Sequence, residues 1–502
     1  MFMWKKRIWL LTILLLLPFI AVHSLSATTE ESREALKSLS AKVKKVTLSN
    51  GLRVIMYRRG SAPVFTGALA VRVGGVNEKP GQTGISHLFE HMAFKGTDKI
   101  GTRDFGREKK LLARLEEIKG KEARKEPLTE RDREELAQLY KELEQLWEIN
   151  KFMEAFEEHG ANGMNATTDK ELTQYFVNMP RSAFEFWCWM ESERILHPVM
   201  RQFYRERDVV LEERRLRYED DPGGKLYETL LAVAYLRHPY RNPVIGYKSD
   251  IESLTASMLY DFHRRYYVPS NMVLSVVGDI DYDRDLQMLE KYFGRIPAGA
   301  SPSLHIAPEE EQRGERVVEV EFPAAPQLLI AYHKPQYPHP DDPAISIMEE
   351  MLAGSRVSPL YKELVQKERI AAEVDYFEAP GRLYPNLVVF SSSVKKPFSV
   401  DRFIEKFDRV INDFKKTPVN NDLLLIAKRS VAMNYLSRLS SNDKLALDFA
   451  SSEVTYGDWR VLIDWFDKAM AVKAEDVSRV ARTYLRRGNR TIVKLKTVAA
   501  KR

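Results

Sequence analysis

The sequence has a single cysteine and a small net charge, and each of these facts excludes some classes of function. Cys188 is the only cysteine among 502 residues, which excludes an internal disulfide and any zinc site built from several cysteines. A metal site would therefore use His and carboxylate side chains. The 77 Lys and Arg residues against 71 Asp and Glu residues give a net charge of only +6. Because basic and acidic residues are interleaved, we expect no nucleic-acid partner.

The chain also lacks an apolar run of the roughly 20 residues that a membrane-spanning helix needs. The apolar run near its start, Ile8–Val22, has fifteen residues and is broken only by Thr12 and Pro18. Basic residues precede this run and small residues follow it, namely Lys5, Lys6, Arg7, Ser24, Ser26 and Ala27. That order predicts a signal peptide at residues 1–27. The protein would then be exported to the periplasm or the extracellular space; the alternative is an uncleaved membrane anchor.

Strand and turn signals occur in both halves of the chain. Asn50-Gly51 divides the apolar segment Val46–Tyr57 in the pattern of a β-hairpin. Residues 298–314 are rich in Pro, Ser, Gly and Glu and predict a linker, after which strands followed by helices start again. We therefore predict an α+β fold of two similar domains, residues 43–297 and 315–498. Each domain would be a mostly antiparallel sheet packed with helices.

A charged segment at about 105–150 interrupts the first domain. Leucine and isoleucine recur there at helical spacing, and the pattern predicts a helical hairpin with Pro127 at its turn and Thr129 capping the second helix. Two interpretations stay open. The hairpin could be an arm that binds a partner or controls substrate access, or it could be a solvated insertion without a role in function.

The segment His87-Leu88-Phe89-Glu90-His91 carries the main chemical signal. On a helix, residues four apart lie one turn apart on the same face, so both imidazoles could reach one ion at about 2.0–2.1 Å. Glu90 would lie at the edge of that face, where it can address a water on the metal without being a ligand. Two His and one Glu also occur together by chance, although peptidases are known with the motif in this order.

Catalytic zinc usually has three protein ligands and one open position, so a third ligand must come from elsewhere. The segment Glu206–Glu213 offers carboxylates at helical spacing. Geometry alone leaves Glu206, Glu212 and Glu213 as candidates.

The context of the motif resembles the pitrilysin/insulinase family, which includes the β subunits of mitochondrial processing peptidase. Gly84–Thr97 is similar to the family's active-site helix, and Asn165–Thr168 is similar to its substrate-contacting edge strand. Glu206–Glu213 resembles the helix that carries the third ligand, and Tyr267–Asp279 and Leu352–Leu364 match further landmarks in the family's order. The similarity covers about residues 43–490.

Residue by residue, the resemblance implies that His87, His91 and Glu213 bind Zn²⁺. It implies Glu90 as the general base and Glu206 as an auxiliary acidic residue of the catalytic site. Asn165 and Ala166 would bind substrate through the edge strand. The stretch between His91 and Glu213 is longer than is usual in the family, and the inserted hairpin accounts for the excess.

The resemblance implies a zinc endopeptidase whose catalytic N-terminal domain cleaves peptides or unfolded polypeptides. The family encloses substrate in a chamber of four such domains, so a chain with two domains would need a homologous partner, in a homodimer or a heterodimer. The alternative is a non-catalytic subunit that shapes such a chamber or serves as a scaffold.

Overall fold

A computed structural model describes residues 33–60, 62–303 and 305–499. The predicted signal peptide lies outside these ranges. No helix within them combines the length and the apolar character needed to cross a bilayer. The fold is α+β with two sheets and many helices, as the sequence predicted.

The first sheet has six strands in the order β1–β2–β6–β3–β5–β4. Only β2 and β6 pair in parallel, and the other neighbours are antiparallel. The predicted hairpin around Asn50-Gly51 forms β1 and β2, and β4 lies at the free edge of the sheet. The strands are β1 Val43–Thr47, β2 Arg53–Arg58, β3 Val64–Val71, β4 Asn162–Thr168, β5 Thr173–Pro180 and β6 Met272–Gly278.

The second sheet has five strands in the order β7–β11–β8–β10–β9 and repeats the plan of the first. Again one pair, β7 and β11, is parallel, and the rest are antiparallel. When the two strand orders are aligned on their parallel pairs, β9 corresponds to the edge strand β4, and β8 corresponds to β3. The strands are β7 Arg316–Phe322, β8 Gln327–Lys334, β9 Asp375–Ala379, β10 Asn386–Ser393 and β11 Arg490–Thr497.

Helices cover both sheets and connect their strands. Helix α1 is described over residues 33–42. In the first half follow α2 Ile85–Met92, α3 Phe105–Ala123, α4 Glu130–Leu146, α5 Lys151–Glu158, α6 Phe184–Leu196, α7 Phe203–Arg214, α8 Pro222–Ala234, α9 Lys248–Ser253, α10 Ala256–Tyr266 and α11 Tyr282–Phe293. In the second half follow α12 Asp342–Ala353, α13 Val400–Lys416, α14 Asn421–Leu439, α15 Asn442–Tyr456, α16 Val461–Ala471 and α17 Ala474–Tyr484.

The inserted hairpin forms as predicted from α3 and α4. The Thr129 hydroxyl accepts a hydrogen bond from the backbone N–H of Asp132, and the Asp132 carboxylate accepts one from the N–H of Thr129. Leu115 and Ile118 of α3 and Leu143 of α4 are buried in the same core as the first sheet. The local sequence therefore specified this element well, because the helix cap and the apolar stripe both indicate the same helices.

Two features of the second half go beyond the sequence-based prediction. Residues Tyr361–Lys367 wind as a π-helix. Strands β9 and β11 were not predicted, and β11 is the last regular element of the described chain. The position of β11 between β7 and β8 depends on partners that are distant in sequence, which local patterns do not reveal.

Each sheet is covered on one face by a helix from the other half of the chain. Leu226 and Leu230 of α8 pack with Val389 and Val493 of the second sheet. In the opposite direction, α15 packs on the first sheet, and Phe449 is buried among residues of β2, β3 and β6. The predicted linker at 298–314 therefore connects halves that share their cores.

Candidate metal centre

Helix α2 begins where two glycines approach each other closely. Gly84 and Gly246 both have φ of +89°, and a Cβ on Gly246 would lie 2.7 Å from the Cα of Gly84. Only glycine tolerates both the backbone conformation and the contact. The Glu78 carboxylate accepts hydrogen bonds from the N–H groups of Gly84 and Ser86, at 2.9 and 3.0 Å. A negative charge is favourable at this end of a helix, so the start of α2 is fixed from two sides.

The two histidines of α2 face the third carboxylate candidate on α7. The rings of His87 and His91 lie 4.8 Å apart between centroids. The Nε2 atoms of His87 and His91 lie 3.8 Å and 3.4 Å from the Glu213 carboxylate oxygens. One donor atom from each of the three side chains lies within 4.8 Å of the others. Within the described parts of the chain, no other three His, Cys, Asp or Glu residues form such a group.

These distances fit a tetrahedral ion. Ligand atoms about 2.0–2.2 Å from zinc lie about 3.3 Å from one another. The distances from the two imidazole nitrogens to the Glu213 oxygens, 3.8 Å and 3.4 Å, are close to that value. The Nδ1 atom of His87 is buried without a hydrogen-bond partner among the described residues, and the ring presents Nε2 to Glu213. The residues present therefore fit a divalent cation held by two imidazoles and one carboxylate.

Glu206, one turn into α7, holds the other side of His91. Its carboxylate lies 3.5 Å from Nδ1 of His91 and forms an ion pair with Lys95. A carboxylate on the far nitrogen of a ligating imidazole fixes the ring and its tautomer. The structure therefore places Glu206 beside His91 and not beside His87. Glu212 points elsewhere and pairs with Arg215 at 2.6 Å.

The ionisation of the cluster favours a cation. Burial and the charge of His91 lower the pKa of His87 to about 4, so His87 is neutral at pH 7. Burial opposes the charge of His91, but Glu206 and Glu213 outweigh it and raise the His91 pKa to about 9. The hydrogen bond from His91 lowers the pKa of Glu213. Without a metal, the proton on His91 supplies the positive charge, and a bound metal would displace it.

Glu90 lies between the donor cluster and the edge strand β4. Burial raises the pKa of its carboxyl, and a hydrogen bond with the Thr168 side chain partly offsets this. Thr168 ends β4, and α2 contacts that strand. A carboxyl with a raised pKa is better matched to accepting and returning a proton near neutral pH than an ordinary Glu.

The predicted substrate residues lie on the free edge of the first sheet. Asn165 is exposed and Ala166 is buried on β4. The pairing between β4 and β5 is irregular between Asn162 and Asn165. In the part of the chain that the structure describes, no strand pairs with the outer edge of β4. Its free N–H and C=O groups can therefore accept an extended peptide as a further strand.

Sequence reasoning missed Arg201, which connects the two helices of the metal centre. Its guanidinium donates to both oxygens of Glu108 on α3, at 2.7 and 2.8 Å. It also donates to the carbonyl groups of Lys95, Thr97 and Ile100, in the loop after α2. Arg201 and Glu108 are both buried. One side chain thus joins the end of α2, the start of α7 and the inserted hairpin.

Further hairpin contacts are made directly with α7. The Tyr204 hydroxyl donates to Glu116 at 2.7 Å, and Arg205 pairs with Glu144. The hairpin is therefore packed against the helix that carries Glu206 and Glu213. Arg217, which lies 3.0 Å from Glu213, was also missed, although its i,i+4 spacing is that of a helical ion pair.

Two family descriptions match the chain. Residues 53–114 match "Insulinase (Peptidase family M16)", and residues 253–431 match "Peptidase M16 inactive domain". The first range contains the two histidines and Glu90. The second range contains none of the predicted site residues, and most of it belongs to the second half.

Similar proteins cover nearly the whole chain. A protein named zinc protease PqqE from Helicobacter pylori is 26% identical over 474 residues, which is 92% of this chain and 94% of that protein. A probable mitochondrial-processing peptidase subunit beta of Arabidopsis thaliana is 21% identical over 489 residues, covering 93% and 79% of the two chains. The crystal structure of a protease from Helicobacter pylori superimposes with a TM-score of 0.77 at 24% identity, over 91% of this chain and 99% of the other.

Proposed function

Because the chain belongs to the insulinase family of peptidases, family M16, we propose that it is a zinc-dependent endopeptidase. The observation that carries the proposal is the convergence of His87, His91 and Glu213 on one point beside Glu90. The names of the relatives support zinc as the metal.

In the proposed reaction, the imidazoles of His87 and His91 and the carboxylate of Glu213 would hold the ion. When bound, zinc lowers the pKa of water and polarises the scissile carbonyl group. Glu90 takes a proton from the attacking water and delivers it to the nitrogen of the leaving amine. Glu206 keeps the His91 ring in its binding orientation, and Lys95 keeps Glu206 ionised and in place.

The substrate would bind as an added strand on β4, with Asn165 and Ala166 beside it. Strand addition recognises backbone groups first, so the substrate must present an extended segment. We expect peptides and unfolded polypeptides to be cleaved and native globular proteins to resist. A digest comparing one protein in its native and its reduced, unfolded form tests this; equal rates would contradict it.

The second candidate function is a non-catalytic subunit, which the description "inactive domain" for residues 253–431 brings into view. All five residues proposed for the chemistry lie outside that range and are present in this chain. We therefore favour catalysis, with residues 43–297 as the catalytic domain and 315–498 as its homologous companion. Zinc content and chelator-sensitive cleavage by the purified chain distinguish the two functions.

Assembly and location complete the proposal. One relative is named a subunit of a processing peptidase, which supports a chamber formed with a homologous chain, either a second copy or a different one. The N-terminal sequence pattern supports export to the periplasm or the extracellular space. Light scattering of the mature chain and cell fractionation test these two statements.

The decisive experiment exchanges Glu90 for Gln. We expect Glu90→Gln to bind zinc as the wild type does while peptide cleavage falls by about 100-fold or more, since the proton carrier is lost. Glu212→Gln, an exposed carboxylate on α7, serves as the matched control and should keep full activity. Undiminished cleavage by Glu90→Gln would overturn the assignment.

A further inference from the structure

A cavity of about 700 Å³ lies between the two halves, away from the three metal-binding candidates. The turn after β4 forms one wall, and α12, α14, α15 and α16 of the second half form the others. The wall is rich in charged and aromatic side chains, so this is a polar space and not a packing defect.

Four of the five carboxylates of the cavity wall are paired with a cation or a hydroxyl group, and the fifth, Asp169, accepts a hydrogen bond from the N–H of Lys170 at 2.8 Å. Lys334 forms ion pairs with Asp342 and Glu378. Arg438 pairs with Asp448, and the hydroxyl of Tyr240 donates to Glu171. These acceptors therefore have little capacity left for a ligand.

Several hydrogen-bond donors of the cavity wall, in contrast, have no partner among the described residues. Arg382 follows β9, lines the cavity and is exposed to it, yet its guanidinium makes no hydrogen bond or ion pair with any described residue. Its charge interacts with Glu378, Asp342 and Asp448 only at distances beyond an ion pair. Lys444 and the hydroxyl groups of Tyr435 and Tyr456 on the same wall likewise have no polar partner among the residues described. The hydrogen-bonding groups of the cavity that lack a partner are thus donors, and donors bind anions.

The cavity adjoins the strand on which the substrate would lie. Asp169 and Glu171 of its wall follow Thr168 directly in the chain, and Thr168 hydrogen-bonds to Glu90. An extended chain covers about 3.3 Å per residue, so three residues reach about 10 Å. A peptide that passes Glu90 along β4 can therefore place a side chain in the cavity a few residues away.

We propose that this cavity binds the carboxylate of an Asp or Glu side chain of the bound polypeptide, with Arg382 as its main partner. A guanidinium presents two parallel N–H groups that match a carboxylate, and the hydroxyl of Tyr456 adds a further donor. The placement of the peptide rests on the proposed function. The binding of the carboxylate does not depend on cleavage and is measured without it.

The test uses the full-length Glu90→Gln protein and pairs of fluorescent peptides of about twelve residues that differ only by Glu or Gln, with that position scanned along the peptide. Fluorescence anisotropy gives the Kd of each peptide. At a matching position, we expect the Glu peptide to bind about tenfold more tightly than its Gln partner, as one charge-assisted hydrogen bond provides. Adding Arg382→Gln should abolish the difference, and Arg382→Lys should keep part of it.

Arg402→Gln is the control, because it removes an exposed arginine on α13 away from the cavity. It should leave the Glu preference unchanged. A preference that survives Arg382→Gln, or no preference at any position, overturns the proposal. Inorganic phosphate is the second probe: if its binding depends on Arg382 while the peptides show no preference, the site is a phosphate site and the peptide assignment is wrong.

Discussion

The two halves of the molecule form similar sheets, but the regions at the ends of the matching strands β3 and β8 differ in their charged groups. In the first half, β3 is followed by α2, which brings two histidines toward the carboxylate of Glu213 and leaves room for a cation. In the second half, β8 is followed by α12, and three acidic side chains surround Lys334 at the end of β8. The residue at the matching end of β3 is Val71.

The difference lies in where the positive charge comes from. Buried carboxylates need a counter-charge, since an unpaired ionised group in the interior is costly. The second half supplies that charge from its own chain, through Lys334. The first half offers donors that an external ion can satisfy. One topology therefore supports a candidate metal centre in one half and a closed ion-pair cluster in the other.

The largest expected effect comes from removing the carboxylate that distinguishes the first half. Glu213→Ala should weaken zinc binding by more than about 100-fold and abolish cleavage, because loss of an outer partner of a ligand alone costs 10–100-fold. Zinc titration with a competing chelator measures the affinity. Glu212→Ala, its neighbour on α7, should bind zinc within about twofold of the wild type, as expected for a surface substitution. Equal loss in both variants would contradict the choice of Glu213.

The next effect comes from removing the internal cation of the second half. Lys334→Met leaves Asp342, Glu349 and Glu378 without their partner and should destabilise the fold by about 3–5 kcal/mol. Zinc bound per folded molecule should not change. If zinc binding falls as stability falls, the two regions are coupled and the comparison fails.

The same variant should show a dependence on pH. Burial raises the pKa of Glu349 and Asp342 in the folded protein. Such groups favour the folded state when protonated, and this contribution is lost as pH rises through the folded-state pKa. Without Lys334 to offset it, the loss in unfolding free energy should be larger at pH 8 than at pH 5. Denaturant unfolding at the two pH values measures it.

A smaller effect should follow from weakening the contact between the hairpin and the metal centre. Arg201→Lys keeps the charge but loses the forked contact with Glu108 and most of the carbonyl contacts, at a cost of about 2 kcal/mol. Because α2 and α7 would be held less firmly, zinc affinity should also fall, by about tenfold. Arg205→Lys, an exposed arginine nearby, should change stability by less than about 0.5 kcal/mol. No change with Arg201→Lys would leave the hairpin without a role in the site.

Much of the local structure could be predicted from the sequence. The Asn50-Gly51 turn, the caps and apolar stripes of the inserted hairpin, and the repeat of strands and helices all arise from interactions between residues close in the chain. The spacing of His87 and His91 likewise placed both rings on one helix face. Their role as ligands stays a prediction until zinc is measured.

The partners of the site could not be predicted in the same way. Helical spacing left Glu206, Glu212 and Glu213 equivalent, and the fold separates them: Glu213 faces both Nε2 atoms, Glu206 faces Nδ1 of His91, and Glu212 faces Arg215. The roles of Arg201 and Lys334 were also invisible, because their partners come from several segments that only the folded chain brings together.

The sequence by itself determined the hairpin of β1 and β2, the inserted helical hairpin and the residues that could bind a metal, because those properties depend on spacing within a few turns. Helical spacing could not tell which acidic residue meets the histidines, and in the tertiary structure the carboxylate of Glu213 does so. The tertiary structure also placed a helix of each half on the other sheet and left the Arg382 guanidinium in the cavity between them with no ion pair to any described residue. These outcomes depend on contacts between residues far apart in the chain, and such contacts carry no local pattern.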